Sequence, residues 1–127
     1  MFTGILVSTD GTAPSNRAVK VAATLAKSLG ATLTIFHAQR TWKESTADAD
    51  TLLARASTLA RKQGAKTATL LGSSDAPAEA IIAAARSTKA DLIVMASHGR
   101  KGLDRLLMGS EMKKVVAGTK LPVLIMR

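Results

Sequence analysis

The sequence contains no cysteine, which excludes disulfide bonds and metal sites built from thiolates. A chain without cysteine is suited to a reducing compartment, and we therefore expect a cytoplasmic protein. It also lacks any apolar run near the roughly 20 residues that a membrane-spanning helix needs, so we expect no membrane partner. No basic leader precedes a long apolar stretch at the amino terminus, and we expect no secretory signal peptide.

Aromatic residues are scarce as well, at 2% of the sequence. Proteins that bind single-stranded nucleic acids by stacking need flat rings, so this scarcity argues against a nucleic-acid partner. The apolar residues that are present, 46% of the chain, are largely Ala, Leu, Val and Ile. An aliphatic core of this kind is typical of helices packed on a sheet, and 127 residues is the length of one domain, residues 1–127.

The balance of charge is strongly basic, with 18 Lys and Arg residues against 9 Asp and Glu, a formal net charge of +9. A basic surface favours anionic partners such as nucleotides, nucleic acids or acidic membranes. It is equally compatible with a solvated surface that has no partner, because no single run of basic residues dominates. The charge alone therefore identifies no ligand.

Apolar periodicity alternates between strand and helix along the whole chain. It predicts five strands, at residues 4–9, 31–38, 66–71, 91–96 and 121–126. It also predicts four helices: one from about Pro14 to Gly30, one ending at Gly64, one opening at Pro77, and one over about residues 109–117 with Met112, Val115 and Val116 inward. This order predicts an α/β fold, a single doubly wound five-stranded parallel sheet of the Rossmann-like type. The polar stretch at residues 39–50 is predicted to be a mobile loop.

In open sheets of this kind, ligands bind beyond the carboxyl ends of the strands, where the strand order reverses. The segment at residues 96–110 follows the fourth predicted strand and is the most informative. Gly99 allows a turn that other residues resist, Gly109 allows close backbone approach, and Ser110 adds a hydroxyl group. The helix that follows offers free N–H groups to an anion, which favours phosphate binding. The alternative is a long polar loop with a helix N-cap at Ser110.

The chain resembles the universal stress protein family over essentially its full length. The resemblance rests on the segments Ile-Leu-Val-Ser-Thr-Asp-Gly-Thr at 5–12, His-Ala at 37–38, Pro-Ala-Glu-Ala-Ile at 77–81 and Asp-Leu-Ile-Val-Met-Ala-Ser-His-Gly-Arg at 91–100. Its most specific parts are Leu-Leu-Met-Gly-Ser at 106–110 and Leu-Pro-Val-Leu-Ile at 121–125. Family members that bind ATP carry a glycine, two residues, a second glycine, nine residues, and then glycine with serine or threonine. Gly99, Gly109 and Ser110 match this pattern, whereas Ala96 stands at the first glycine.

The resemblance implies that Asp10 faces an adenine ring, that the backbone of Ala38 contacts the base and that Met95 lines the pocket. From the residues alone, Asp10 is equally well explained as part of an Asp-Gly turn. The candidate residues for binding the nucleotide are Thr9, Asp10, Ala38, Met95, Ala96, His98, Gly99, Arg100, Gly109, Ser110, Glu111 and Met112. The implied ligand is ATP, with Mg²⁺ as a candidate companion.

No catalytic residue is assigned. His98 has only Asp104 as a nearby acidic residue, and His37 is expected to be a buried strand end. Two histidines without clustered carboxylates do not make a metal site, and neither a Walker motif nor a Gly-x-Gly-x-x-Gly motif is present. We therefore expect ATP binding with at most slow hydrolysis, in a stress-response protein.

The resemblance also implies a homodimer, in which residues 121–126 pair with their copy and cover an exposed sheet edge. A second interpretation remains open: a dimeric interaction module that binds no nucleotide and meets an acidic protein or nucleic acid through its basic surface. Ala96 and the shortened region after the second strand favour this alternative.

Overall fold

Strands and helices alternate along the chain, as the sequence predicts. A computed structural model describes residues 2–40, 42–97 and 109–127. Within them the strands are β1 (Gly4–Ser8), β2 (Thr32–Gln39), β3 (Lys66–Ser73), β4 (Leu92–Ala96) and β5 (Val123–Met126). The helices are α1 (Ala13–Leu29), α2 (Thr46–Lys62), α3 (Pro77–Ser87) and α4 (Ser110–Gly118). The predicted α/β fold is therefore confirmed.

The sheet has the order β3-β2-β1-β4-β5, and every neighbouring pair of strands is parallel. The chain moves outward from β1 to β3 and then crosses back to β4 and β5. Because parallel crossovers keep one hand, this change of direction places α1 and α2 on one face and α3 and α4 on the other. The strand order consequently reverses between β1 and β4, at the centre of the sheet.

The core has two halves, one on each face of the sheet, and β1 contributes to both. Ile5 and Val7 belong to the cluster under α1 and α2, whereas Leu6 belongs to the cluster under α3 and α4. All three side chains are at most 1% exposed. Alternate residues of a strand point to opposite faces, so a central parallel strand must be apolar throughout.

Some predicted boundaries differ from the observed ones. β3 extends two residues beyond the predicted end, to Ser73, because it stays in register with β2 as far as Gln39. The predicted inward position of Val116 is wrong, since its side chain is 48% exposed. Met112 and Val115 share one face of α4, and Val116 is turned away from it by the 100° step between helical residues.

Asp91, immediately before β4, connects the amino-terminal ends of β1 and β4 by hydrogen bonds. Its carboxylate accepts hydrogen bonds from the backbone N–H groups of Thr3, at 2.9 Å, and Gly4, at 3.1 Å. The N–H of Thr3 is the main cause that lowers the pKa of the Asp91 carboxyl below its ordinary value. Desolvation opposes it in part, and the N–H of Gly4 lowers the pKa further. The charged carboxylate therefore joins the start of β1 to the start of β4.

Helix α3 has no capping side chain of its own, because its N-cap is Ala76 and its first residue is Pro77. The cap comes instead from α4: Glu111 Oε2 accepts a hydrogen bond from the backbone N–H of Ala78, at 2.9 Å. Glu111 Oε1 also lies 3.6 Å from Lys114 Nζ. Glu111 thus fixes the first turn of α4 against the first turn of α3.

Replacing Asp91 with asparagine tests the joint between β1 and β4. A carboxyl whose pKa is lowered by folding stabilises the folded state fully above its unfolded pKa, about 3.9, and loses this contribution as the pH falls through its folded pKa. We expect Asp91→Asn to lower Tm at neutral pH, and the difference from wild type to shrink below about pH 4. Thermal unfolding followed by circular dichroism measures it, with Asp50→Asn as the control for the loss of an exposed charge. A difference that stays constant into acid would contradict the assignment.

Replacing Glu111 with alanine tests the cap on α3. We expect the free energy of unfolding to fall by about 1 kcal/mol, as for the loss of other helix caps. Lys114→Ala removes the ion pair but leaves the cap, and it should change the free energy of unfolding much less because exposed pairs contribute little. Urea denaturation of both variants makes the comparison. Equal effects of the two substitutions would assign the stabilisation to the ion pair instead.

Candidate functional site

The carboxyl ends of β1 and β4 lie side by side where the strand order reverses. In the register between them, Val7 stands opposite Val94. Beyond these residues β1 runs into Thr9 and Asp10, and β4 runs into Ala96 and Ser97. A doubly wound sheet binds its ligands at this position.

The turn after β1 is built around the Asp10 carboxylate. Its Oδ1 atom accepts hydrogen bonds from the Thr12 backbone N–H at 3.0 Å, from the Thr12 hydroxyl and from the Ser15 hydroxyl at 2.9 Å. Gly11 has a φ of +81°, and a Cβ there would lie 2.8 Å from the Leu52 side chain. The predicted turn role of Asp10 is therefore confirmed, and its contact with adenine stays a prediction.

Ser15 was missed by sequence reasoning and is central to this turn. It is buried, and its hydroxyl oxygen lies 3.0 Å from both the Thr9 hydroxyl and the Thr12 carbonyl. The backbone N–H of Asp10 donates to the same hydroxyl oxygen at 3.3 Å. Thr12 is the N-cap of α1 and accepts from the Ser15 N–H, so the three-residue spacing between them was the available signal.

His37 lies near the end of β2 and is 4% exposed, which confirms its prediction as a buried strand end. Its Nδ1 atom is 2.8 Å from the carbonyl oxygen of Thr9, and its Nε2 atom is 2.7 Å from Glu44 Oε1. Glu44 belongs to the stretch at 39–50 that the sequence predicts as a loop. That prediction is partly wrong, because α2 begins at Thr46 after an N-cap at Ser45.

The start of α4 is attached directly to the end of β4. The Ser97 backbone N–H donates to the carbonyl of Met126 at 2.8 Å, and the Ser97 carbonyl accepts from the Gly109 N–H at 2.7 Å. The N-cap of α4 is Gly109, with φ −58° and ψ 143°, and Ser110 is the first helical residue. The alternative prediction of an N-cap at Ser110 is therefore wrong.

Among the residues that the structure describes, no side chain caps the N-terminus of α4. The backbone N–H groups of its first turn, together with the positive end of the helix dipole, are suited to an anion. The Ser110 hydroxyl lies on an exposed residue at the same place. This end of the helix can therefore receive a phosphate or a carboxylate.

The remaining predicted residues fall into two groups. Met95 and Met112 are about 5% and 4% exposed and pack in the core cluster under α3 and α4. Ala38, in β2 opposite Gly72, and Ala96, the last residue of β4, are both half-buried. The predicted residues His98, Gly99 and Arg100 lie outside the described residues.

Residues 2–40, 42–97 and 109–127 contain no group of three or more His, Cys, Asp or Glu side chains that could hold a metal ion. None of the helices in these ranges is both long enough and apolar enough to cross a membrane.

Known proteins resemble this chain over its whole length. The universal stress protein in the QAH/OAS sulfhydrylase 3′ region of Thermus aquaticus is 37% identical over 137 aligned residues, which cover all of both chains. The solved structure of a universal stress protein in complex with cAMP is 30% identical, with a TM-score of 0.85 over 99% of this chain and 97% of that one.

A third relative shares the fold at lower identity. The universal stress protein from Archaeoglobus fulgidus in complex with dAMP is 22% identical, with a TM-score of 0.81 over 98% of this chain and 97% of that one. The model of the universal stress protein family matches residues 1–127. This chain therefore belongs to the universal stress protein family.

Proposed function

We propose that this chain binds an adenine nucleotide, with ATP as the first candidate, at the carboxyl ends of β1 and β4. The observation that carries the proposal is the attachment of α4 to β4 through the Gly109 N–H and the Ser97 carbonyl, at 2.7 Å. This bond brings a helix N-terminus without a described side-chain cap to the point where the strand order reverses. Phosphate binding at that point uses both the dipole and the free N–H groups.

The two ends of the nucleotide are assigned to different walls of the crevice. Gly109 and Ser110 would bind phosphate, together with Gly99 and Arg100 of the glycine pattern. Adenine would lie toward β1 and β2, against the following residues: Thr9, Asp10, Ala38 and Met95. Relatives in complex with cAMP and dAMP support an adenine ligand.

Ala96 is the one departure from the ATP pattern. Its methyl group lies on the same face of β4 as Val94, two residues earlier, which packs under α1 and α2. Ala96 is half-buried, so the methyl group borders the crevice without filling the core. This departure favours the second candidate function, an interaction module that binds no nucleotide, and a direct binding measurement separates the two.

We propose binding and at most slow hydrolysis. Asp10 is the carboxylate nearest to the proposed adenine, and its Oδ1 atom already accepts three hydrogen bonds within the turn. A Mg²⁺ ion would be held mainly by the phosphate oxygens, as this ion commonly is in nucleotide sites. The role that fits such a site is regulation during stress, in the cytoplasm.

Isothermal titration with ATP tests the proposal, and Gly109→Asp is the sharpest variant. The φ of Gly109 lies in a region that all residues adopt, and aspartate is a favoured N-cap, so the variant should fold with an unchanged or higher Tm. Its carboxylate would occupy the N–H groups that the phosphate needs and would repel the phosphate. We expect ATP affinity to fall at least a hundredfold.

Ala54→Asp provides the matched control, because it adds the same charge on an exposed position of α2. It should bind ATP as the wild type does. Absence of ATP binding by the wild type at near-millimolar nucleotide would favour the interaction module. Unchanged affinity of Gly109→Asp would show that the phosphates bind elsewhere.

We further propose that the chain forms a homodimer through β5. In the described sheet β5 pairs only with β4, so its other edge is open. Leu124, at the middle of this edge strand, is 37% exposed. Pairing of two copies would satisfy the open backbone groups and cover this side chain.

Leu124→Lys should convert the dimer into a monomer, because it places a charge in the proposed interface at the edge strand. Sedimentation velocity of the wild type and the variant measures the change. Leu29→Lys is the control, since Leu29 is 44% exposed at the end of α1, away from β5. A monomeric wild type, or a Leu124→Lys variant that remains dimeric, would contradict the proposed interface.

A further inference from the structure

Three parts of the chain meet at the His37 imidazole. The ring belongs to β2, its Nδ1 atom faces the Thr9 carbonyl at the end of β1, and its Nε2 atom faces Glu44 on the segment that leads to α2. The His37 side chain is 5% exposed and the Glu44 side chain 11%. Water competes little with hydrogen bonds that are buried this deeply, so they stay strong.

The segment around Glu44, which we call the strap (residues 42–45), has a second anchor in Gln39. The buried side-chain amide of Gln39 donates to the Glu44 carbonyl at 2.9 Å and to the Thr46 hydroxyl at 3.4 Å. The Glu44 backbone N–H also donates to the Arg40 carbonyl at 3.0 Å. The backbone and the side chain of Glu44 are therefore both held against the end of β2.

We propose that His37 is a positioning residue of the nucleotide site, which holds the strap and the end of β1 in the arrangement that receives the adenine. This inference rests on the proposed function. Thr9, Asp10 and Ala38 are the residues assigned to the base. The His37 ring contacts the Thr9 carbonyl, and His37 directly precedes Ala38 in β2. A wall fixed before the ligand arrives costs less conformational entropy to order on binding.

The two contacts of His37 use both ring nitrogens. A carbonyl only accepts, so Nδ1 donates to Thr9 when it carries the hydrogen. A carboxylate oxygen of Glu44 accepts from Nε2 when that nitrogen carries one. A single buried ring thus joins the end of β1 to the strap, through contacts of 2.8 Å and 2.7 Å.

The charged groups near the pair come from several elements. Asp10 follows Thr9, but its Oδ1 atom faces Thr12 and Ser15. β3 places Leu71 beside His37, and this side chain does not titrate. On the strap itself, Lys43 Nζ lies 4.5 Å from the ring centre of Trp42. Glu44 is therefore the titratable partner in direct contact with the ring among the described residues.

The test compares Glu44→Ala, which breaks the anchor, with Glu44→Gln, which keeps it. A glutamine side chain has both a donor and an acceptor, so it can hydrogen bond to Nε2 in either tautomer of His37. Glu79→Ala is the control for the lost charge, because Glu79 is exposed on α3. Two properties are measured: ATP affinity by titration calorimetry, and quenching of fluorescence by acrylamide in the free protein. Trp42 is the only tryptophan and belongs to the strap, so the fluorescence reports on this segment.

We expect Glu44→Ala to increase the quenching of Trp42 and to weaken ATP binding about tenfold, which corresponds to about 1.4 kcal/mol. Glu79→Ala should change neither. Glu44→Gln, which keeps a hydrogen-bonding group at Nε2, should restore both the low quenching and the wild-type ATP affinity. An effect of the lost charge alone would appear equally in Glu44→Gln and Glu44→Ala.

The outcomes separate this inference from the proposed function. If the wild type binds ATP and Glu44→Ala binds it as tightly as Glu79→Ala does, His37 does not position the site and only this inference is overturned. If Glu44→Gln weakens ATP binding as much as Glu44→Ala does, the hydrogen bond to His37 is not what holds the strap, which also overturns it. If the wild type binds no ATP, the proposed function fails and the positioning role fails with it.

Discussion

The burial of β1 on both faces is the constraint on which the rest of the structure depends. Ile5 and Val7 pack under one pair of helices and Leu6 under the other. β2 and β4 both pair with β1. A strand in this position cannot place polar groups inside, because buried polar groups need partners. The first polar side chains of the chain that can serve a ligand must therefore come after β1, at the edge where the strand order reverses.

Three carboxylates of this basic protein accept hydrogen bonds from backbone N–H groups. Asp10 accepts from the turn before α1, Asp91 from the start of β1, and Glu111 from the first turn of α3. Each of these N–H groups lies at the end of a strand or a helix, where the regular hydrogen-bond pattern leaves it without a partner. The chain has half as many acidic as basic residues, and these are enough to pair these N–H groups at the ends of its strands and helices. The excess of positive charge remains available at the surface.

The sequence predicts the architecture because the relevant signals are periodic and local. Apolar runs marked the strands, and Pro14, Gly30 and Pro77 marked the helix ends where the structure has them. The Asp-Gly turn after β1 was also readable, since Gly11 needs its positive φ. These features depend on neighbours within a few residues.

The sequence could not predict the contacts between residues that lie far apart along the chain. Glu44 looked like one polar residue among many in a loop, and only the approach of β2 to β1 places His37 between it and Thr9. Glu111 reaches Ala78, which lies 33 positions earlier in the sequence. Val116 shows the opposite error, since hydrophobicity alone predicted an inward position that the geometry of a short helix does not allow.

The N-termini of the four helices in the described part of the chain show why the start of α4 is the best place for an anion. α1 and α2 begin with side-chain caps from Thr12 and Ser45, and α3 receives its cap from Glu111. α4 begins at a glycine, and no side chain in the described part of the chain caps it. A bound phosphate would accept hydrogen bonds from the first N–H groups of this helix, as a carboxylate or a hydroxyl group does for the others. Ligand binding would then complete the same hydrogen-bonding scheme that stabilises the rest of the fold, so that the nucleotide would stabilise the protein as it binds.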